Sequence, residues 1–158
     1  MRAVAQRVSR ASVSVGGEPR GAIGPGLLIY VGVAPEDGEA DADWLAEKIA
    51  SLRVFPDAEG KMNLSVFQAA AEAGHGPEAL AVSQFTLMGD ARRGRRPSWA
   101  GAAAPEKARG LCERFVASLR ALGISCETGE FRASMEVESV NCGPVTILLD
   151  SREGAARP

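Results

Sequence analysis

Histidine is nearly missing from this chain: His75 is the only one, set between Gly74 and Gly76. A Ser-His or Cys-His pairing and a histidine-rich metal site are therefore poorly supplied. A histidine between glycines, in an Ala- and Gly-rich stretch, reads as exposed and not catalytic. The cysteines, Cys112, Cys126 and Cys142, are odd in number and lack C-x-x-C spacing, so neither a disulfide framework nor a zinc site is indicated. Charge of one sign is also lacking: the net value is −2, which excludes a protein held on nucleic acid by a global field and leaves only local contact. The longest apolar run, Leu27–Val33, is far too short to cross a bilayer. Arg2, Gln6, Arg7 and Arg10 interrupt the stretch where a signal peptide would need its apolar segment. The expectation is a reducing, cytoplasmic address with no membrane partner, no metal and no cofactor.

What is present is the material of one ordinary domain. The chain has 158 residues, 46% hydrophobic and 24% charged, enough for a real core. Met1–Val15 alternates and reads as a first strand and hairpin partner, with Gly16-Gly17 turning the chain. After the turn Gly24-Pro25-Gly26, Leu27–Val33 is a continuous apolar strand expected to be covered on both faces. Pro35–Asp43 is an acidic approach to a helix carrying Trp44, Leu45, Ile49 and Leu52 on one face. Pro56–Gly60 is a turn, Leu64–Phe67 a short segment, and Gln68–Pro77 a surface loop. Pro105 opens a second helix with an apolar stripe through Ala108, Leu111, Cys112, Phe115, Leu119 and Leu122, which places Cys112 in the core, and Gly123 ends it. Ile124–Thr128 and Met135–Val140 read as strands, and the turn Asn141-Cys142-Gly143-Pro144 feeds a last strand, Val145–Leu149. The tail from Asp150 to Pro158 is polar and expected to be disordered. The order implies a single mixed α/β domain over residues 1–150, largely antiparallel, with helices on one side.

Three features stand out against this background. Leu80–Leu87 reads as a strand that carries Ser83, Gln84 and Thr86 among apolar residues. Alternation would put Ser83 and Phe85 on one face and Gln84 and Thr86 on the other. Spacing alone favours hydrogen-bonded polar residues at a sheet edge, because each buried polar group must find a partner. Arg7, in mid-strand, is by composition a solvent-facing residue. Arg92, Arg93, Arg95 and Arg96 around Gly94 are suited to gripping phosphates, although such runs are commonly solvated loops.

Taken together, Ala5-Gln6-Arg7-Val8, Gly26–Val33, Gly60-Lys61-Met62-Asn63, Ser83-Gln84-Phe85-Thr86-Leu87, Gly94–Ser98 and Asn141–Thr146 resemble the D-aminoacyl-tRNA deacylases, in the family's order and over nearly the whole chain. The resemblance implies a layered β/β/α fold and a homodimer that acts on aminoacyl-tRNA. It implies that Gly143 and Pro144, joined by a cis bond, enter the partner's pocket, where outward carbonyls hold the substrate amino group. An L side chain would be driven into that backbone, a D side chain would not, and glycine would not be excluded. By the same resemblance Arg7 steadies the Gly-Pro loop and Phe85 packs on the terminal adenine. Gln84 and Thr86, with Ser83 beside them, line the scissile ester, and Met135 borders the pocket. The implied chemistry is ester hydrolysis by positioning, with backbone N–H groups near Phe85 and Thr86 at the oxyanion and the ribose 2′-hydroxyl assisting water. Thr86 as nucleophile is the alternative, but no evident base is placed to activate it. One departure is Cys142, where the family usually has Asp. A related class with a trans Gly-Pro acting on L-alanyl-tRNA, a non-catalytic nucleic-acid module and an unrelated esterase are the competing readings; Arg7 argues against the first, the intact Gln84/Thr86 and Gly143/Pro144 pairs against the second, and the lack of a Ser-His or Cys-His pairing against the third.

Overall fold

The computed structural model of the chain describes residues 1–92 and 94–154. Its sheet is organised around β1 (Arg2–Val15), a single 14-residue strand. Gly16 (φ 59°) and Gly17 (φ 83°) both take the left-handed conformation that a two-residue hairpin turn requires, and β2 (Glu18–Ile23) folds back on β1. The hairpin partner therefore follows the glycines.

The first half of β1 pairs antiparallel with β3 (Gly26–Gly32), from Arg2 opposite Gly32 to Val8 opposite Gly26. On its other edge β1 pairs along its whole length with β8 (Met135–Asp150), from Arg2 opposite Asp150 to Val15 opposite Met135. Two strands separated by a reversing turn were expected over these last residues. The structure has one strand whose middle, Cys142–Val145, bulges out of the ladder between the pairs Gln6–Thr146 and Val8–Asn141. A bulge adds residues to one side of a ladder without reversing the chain.

After a small separate ribbon of β4 (Phe55–Pro56) and β5 (Met62–Leu64), β6 (Glu78–Ser83) joins β3 in parallel, and β7 (Ser125–Thr128) joins β6 in parallel, giving a mixed sheet of order β2-β1-β3-β6-β7 with β8 on β1. The parallel pairings need crossovers, supplied by α1 (Glu39–Ala50) with α2 (Val66–Glu72), and by α3 (Pro105–Ala121). The curled, nearly closed sheet encloses one apolar cluster, with Val8, Ala11, Val13, Leu28, Leu80 and Val82. Its outer face, with Leu27, Ile29, Val31 and Ala79, packs on Leu45 and Ile49 of α1 and on Leu111, Phe115 and Leu119 of α3. This is the layered α/β arrangement the resemblance implied. Within β1, Ala3 belongs to the outer cluster and Val8 to the inner. The register shift between Val8 and Arg10 then lets Ala11 and Val13 stay on the inner side.

Two segments differ from expectation. Gln68–Pro77 is not all loop, because Ser65 caps α2: its hydroxyl accepts from Gln68 N–H while the Gln68 side-chain Oε1 accepts from Ser65 N–H at 2.9 Å. Once capped, the Ala-rich run is a good helix former. The tail is ordered where described: Ser151–Gly154 form a helical turn, α4, with Ser151 fully buried and its N–H bonded to the Met1 carbonyl. Residues 155–158 lie outside the described residues. The Met1 ammonium is itself buried, paired with Asp37 at 2.9 Å and bonded to Ser151 Oγ at 2.5 Å. Cys112 is half-buried, and burial pushes its thiol up to about 11. No helix among the described residues is long and apolar enough to cross a membrane.

The two crossover helices are clamped where Arg114 donates two hydrogen bonds to Asp43, at 2.8 and 2.7 Å, and Ser118 Oγ donates a third. These bonds hold the Asp43 carboxyl at about 2, below its ordinary 3.8. A carboxyl whose folded value is depressed adds stability above the unfolded value and loses it as pH falls through the folded one. Asp43→Asn should therefore lower Tm at neutral pH, and the gap to wild type should close between about pH 4 and pH 2. Thermal unfolding of both proteins across that range checks this.

Candidate active site

β6 does not continue to Leu87. It ends at Ser83, opposite Val31 near the end of β3; Gln84 turns away (φ −141°, ψ 83°), and Phe85–Met88 form a 3-10 turn. The turn folds down onto Gly32, where an added Cβ would lie 2.9 Å from the Gln84 carbonyl oxygen and 3.0 Å from Leu87 Cβ. Glycine at 32 permits that approach. The expected two-face alternation is thereby replaced, and Gln84 Nε2 donates to Thr86 Oγ1 at 2.5 Å. The 3-10 turn exposes Phe85 (56%) and Thr86 while Met88 anchors it in the interior.

A cleft of about 510 Å³ opens beside this turn. Ser83, Gln84 and Phe85 form one wall, Met135 of β8 another, and Ala108 and Cys112 of α3 line it as well. Gly129 makes room for Met135, since a Cβ there would lie 2.5 Å from the Met135 sulfur. Thus Ser83, Gln84, Phe85 and Met135 converge on one cleft, with Thr86 tied to it through Gln84. His75 is not among the residues that line it and sits in the turn that precedes β6.

Arg7, Gly143 and Pro144 are gathered elsewhere. Arg7 Nη1 donates to the Val54 carbonyl at 2.6 Å and Nε to the Cys142 carbonyl at 3.2 Å. Gly143 (φ 117°) sits against this guanidinium, and the Gly143–Pro144 bond is cis. Asn141 completes the support: its Oδ1 accepts from Val145 N–H and its Nδ2 donates to Thr146 Oγ1, which also accepts from Gln6 Nε2. The loop is thus held at position 142 through a backbone carbonyl, which any residue provides. Gly143 and Pro144 point out of the fold and are exposed. Arg7 pairs opposite Leu27, and Ser83 opposite Val31, so about four β3 residues, roughly 13 Å, separate the two groups along the sheet. One chain carries both groups and does not join them.

The arginine-bearing loop is closed by reciprocal backbone bonds of 2.8 Å between Asp90 and Ser98. Arg93 lies outside the described residues. Arg92 donates to both Asp90 carboxylate oxygens and holds that carboxyl well below its usual range. Directly after the loop, Trp99 meets Phe85 edge-on, with centroids 5.3 Å apart. Sequence reasoning passed over Trp99. The available signal was a tryptophan in a Gly- and Ala-rich segment with no apolar periodicity to draw it into a core.

Fold and site together define a class: a small α/β domain whose cleft is built from a strand-to-3-10 turn and whose second element is an outward Gly-Pro bulge. The family model described as D-Tyr-tRNA(Tyr) deacylase matches residues 4–150. A D-aminoacyl-tRNA deacylase of Symbiobacterium thermophilum is 61% identical over 153 residues, 97% of each chain. That of Koribacter versatilis is 58% identical, covering 97% of this chain and 99% of the other. Among solved structures, one described as c-Myc DNA Unwinding Element Binding Protein superposes with a TM-score of 0.83 at 40% identity, over 95% of this chain and 98% of that one. A second, described as a probable eukaryotic D-amino acid tRNA deacylase, has a TM-score of 0.77 at 15% identity, covers 94% and 97%, and shares the fold. The chain belongs to the D-aminoacyl-tRNA deacylase family, hydrolases of the ester bond of aminoacyl-tRNA.

A Cβ at position 143 would lie 2.7 Å from Arg7 Nη2 and 2.9 Å from Val145 Cγ2, in a backbone conformation that L side chains rarely adopt. Gly143→Ala should cost about 1–3 kcal/mol in urea unfolding. Unchanged stability would mean that the bulge accommodates a side chain freely.

Proposed function

We propose that this protein hydrolyses the ester joining a D-amino acid to the 3′ end of its tRNA, as a homodimer in which each Gly143-Pro144 bulge completes the partner's cleft. The observation that carries the reading is the separation just described. The cleft with Gln84 and Thr86 and the outward bulge braced by Arg7 lie apart on one chain, so only a second copy can bring them face to face. The other edge of β8 supports this: among the described residues β8 pairs only with β1, and Leu148 (70%) and Val140 (38%) on it are exposed. Large apolar side chains along an open strand are suited to contact between copies.

In this reading Phe85 offers its exposed face to the terminal adenine, and Met135 and Ser83 border the amino acid. Carbonyls of the bulge take the substrate ammonium, and an L side chain collides with rigid backbone there. Glycine has nothing to collide with, so glycyl-tRNA mischarged on alanine tRNA is hydrolysed as well. Gln84 and Thr86 position the ester. Thr86 Oγ1 already accepts from the Gln84 amide, which makes no base of its partner. Positioning, with N–H groups at the start of the 3-10 turn facing the oxyanion and the 2′-hydroxyl assisting water, therefore fits better than a Thr86 nucleophile. Neither metal nor cofactor enters this scheme.

Purified protein should deacylate D-tyrosyl-tRNA and leave L-tyrosyl-tRNA intact, and Pro144→Ala should erode that discrimination. Hydrolysis of neither ester would end the reading, and hydrolysis of the L form alone would point to the trans-type relatives. Thr86→Ala should cost less than about a hundredfold in kcat; a loss of several orders of magnitude in a folded, binding variant would make Thr86 the nucleophile. The in-trans site has its own check. Mixing a Gln84/Thr86 double variant, stripped of the groups that position the ester, with a Gly143/Pro144 double variant, which has lost discrimination, should raise D-over-L selectivity above that of either alone, because a mixed dimer holds one intact site.

A further inference from the structure

We infer that Trp99 and the loop it follows form a second RNA-binding surface beside Phe85, taking the unpaired nucleotides that precede the terminal one. The inference rests on the reading that Phe85 receives the terminal base. Trp99 is 43% exposed although it is one of only two tryptophans in the chain. It is seated all the same: a Cβ on Gly89 would lie 2.5 Å from its ring, the Asp90–Ser98 bridge fixes the backbone just before it, and its own carbonyl accepts from Ala102 N–H at 3.0 Å. A ring held in place yet left half in water suits a stacking platform better than a core residue.

Its relation to Phe85 fits two bases. The rings meet at 69°, so the Phe85 face and the Trp99 face point in different directions and do not compete for one ligand. Unpaired bases splay and stack one by one on such surfaces, each base–aromatic contact being tolerant of sequence. The loop between the two aromatics supplies charge. Arg92 is held by Asp90, whereas Arg95 and Arg96 are exposed and enter no ion pair among the described residues. Two exposed guanidiniums a few residues before an aromatic platform match a phosphodiester backbone with bases attached. This would also account for local tRNA contact by a chain whose net charge is −2.

The test uses the full chain and two readouts. In a Trp44→Phe background Trp99 is the only tryptophan. Its fluorescence should be quenched by single-stranded RNA ending in CCA and not by a blunt RNA duplex of equal length. In the hydrolytic assay, Trp99→Ala and the pair Arg95→Ala/Arg96→Ala should each raise KM for D-aminoacyl-tRNA roughly tenfold with little change in kcat. Neither should affect hydrolysis of a D-aminoacyl ester of adenosine alone, which lacks the preceding nucleotides. Trp99→Phe should retain most of the binding, and the arginine pair should flatten the salt dependence by about 0.7 in slope for each phosphate no longer neutralised. Equal losses on both esters would reduce Trp99 to a support for Phe85 and overturn the inference, as would wild-type behaviour of all variants on tRNA. Equal quenching by an acidic peptide would overturn it too. The two readings fail separately: quenching by single-stranded RNA without hydrolysis of either ester keeps the surface and removes the activity, whereas hydrolysis indifferent to these variants does the reverse.

Discussion

The ladder between β1 and β8 is the constraint on which the rest of the structure depends. It runs from Arg2–Asp150 to Val15–Met135, so it joins nearly the first and last residues of the fold. Pairings this distant in sequence are costly to close and rewarding once closed, because they bring every other strand into register. β1 also carries β2 and β3 on its other edge, and β3 carries β6, whose end sets the Phe85–Met88 turn. The Arg2–Asp150 end of the ladder is fastened by the ion pair between those two residues at 2.8 Å and by the buried cluster of Met1, Asp37 and Ser151.

Both halves of the site are departures from that regular frame. The Gly143-Pro144 bulge exists because β8 has more residues than β1 can pair with between Gln6 and Val8, and the surplus is thrown outward. The 3-10 turn at Phe85–Met88 exists because β3, the partner of β6, runs out at Gly32, and the chain folds over the space that glycine leaves. Each irregularity is over-determined by its surroundings: Arg7, Asn141 and Thr146 for the first, Met88 and the Gln84–Thr86 bond for the second. Side chains held on breaks in an otherwise regular sheet are fixed in place without being buried.

Much of this was legible along the chain. Local pattern sufficed for β3, whose unbroken apolar run is buried on both faces, for α1 and α3, and for the Gly16-Gly17 hairpin. The residues of the cleft and the bulge were legible too, but only as a resemblance across several stretches, since Ser, Gln and Thr in an apolar strand have an ordinary structural reading. Where local pattern failed, the deciding partner lay far off. Ser83-Gln84-Phe85-Thr86 alternates well enough for a strand until Gly32 ends the neighbour it would need. Asn141–Pro144 has every mark of a reversing turn, yet β1 holds both flanks of it in one line.

The sequence by itself therefore determined which segments are helix or buried strand, because amphipathic period and apolar runs are properties of neighbouring residues. It also determined the chemical inventory: one histidine, three cysteines without C-x-x-C spacing, a Gly-Pro step and a mid-strand arginine, Arg7. Only the tertiary structure decided that Arg7 meets Gly143 across 136 positions, that Trp99 lies against Phe85, and that the cleft and the bulge sit at separate places on one chain. Those relations depend on strand order and register, which arise from many weak pairings summed over the whole sheet and are written in no single stretch of residues.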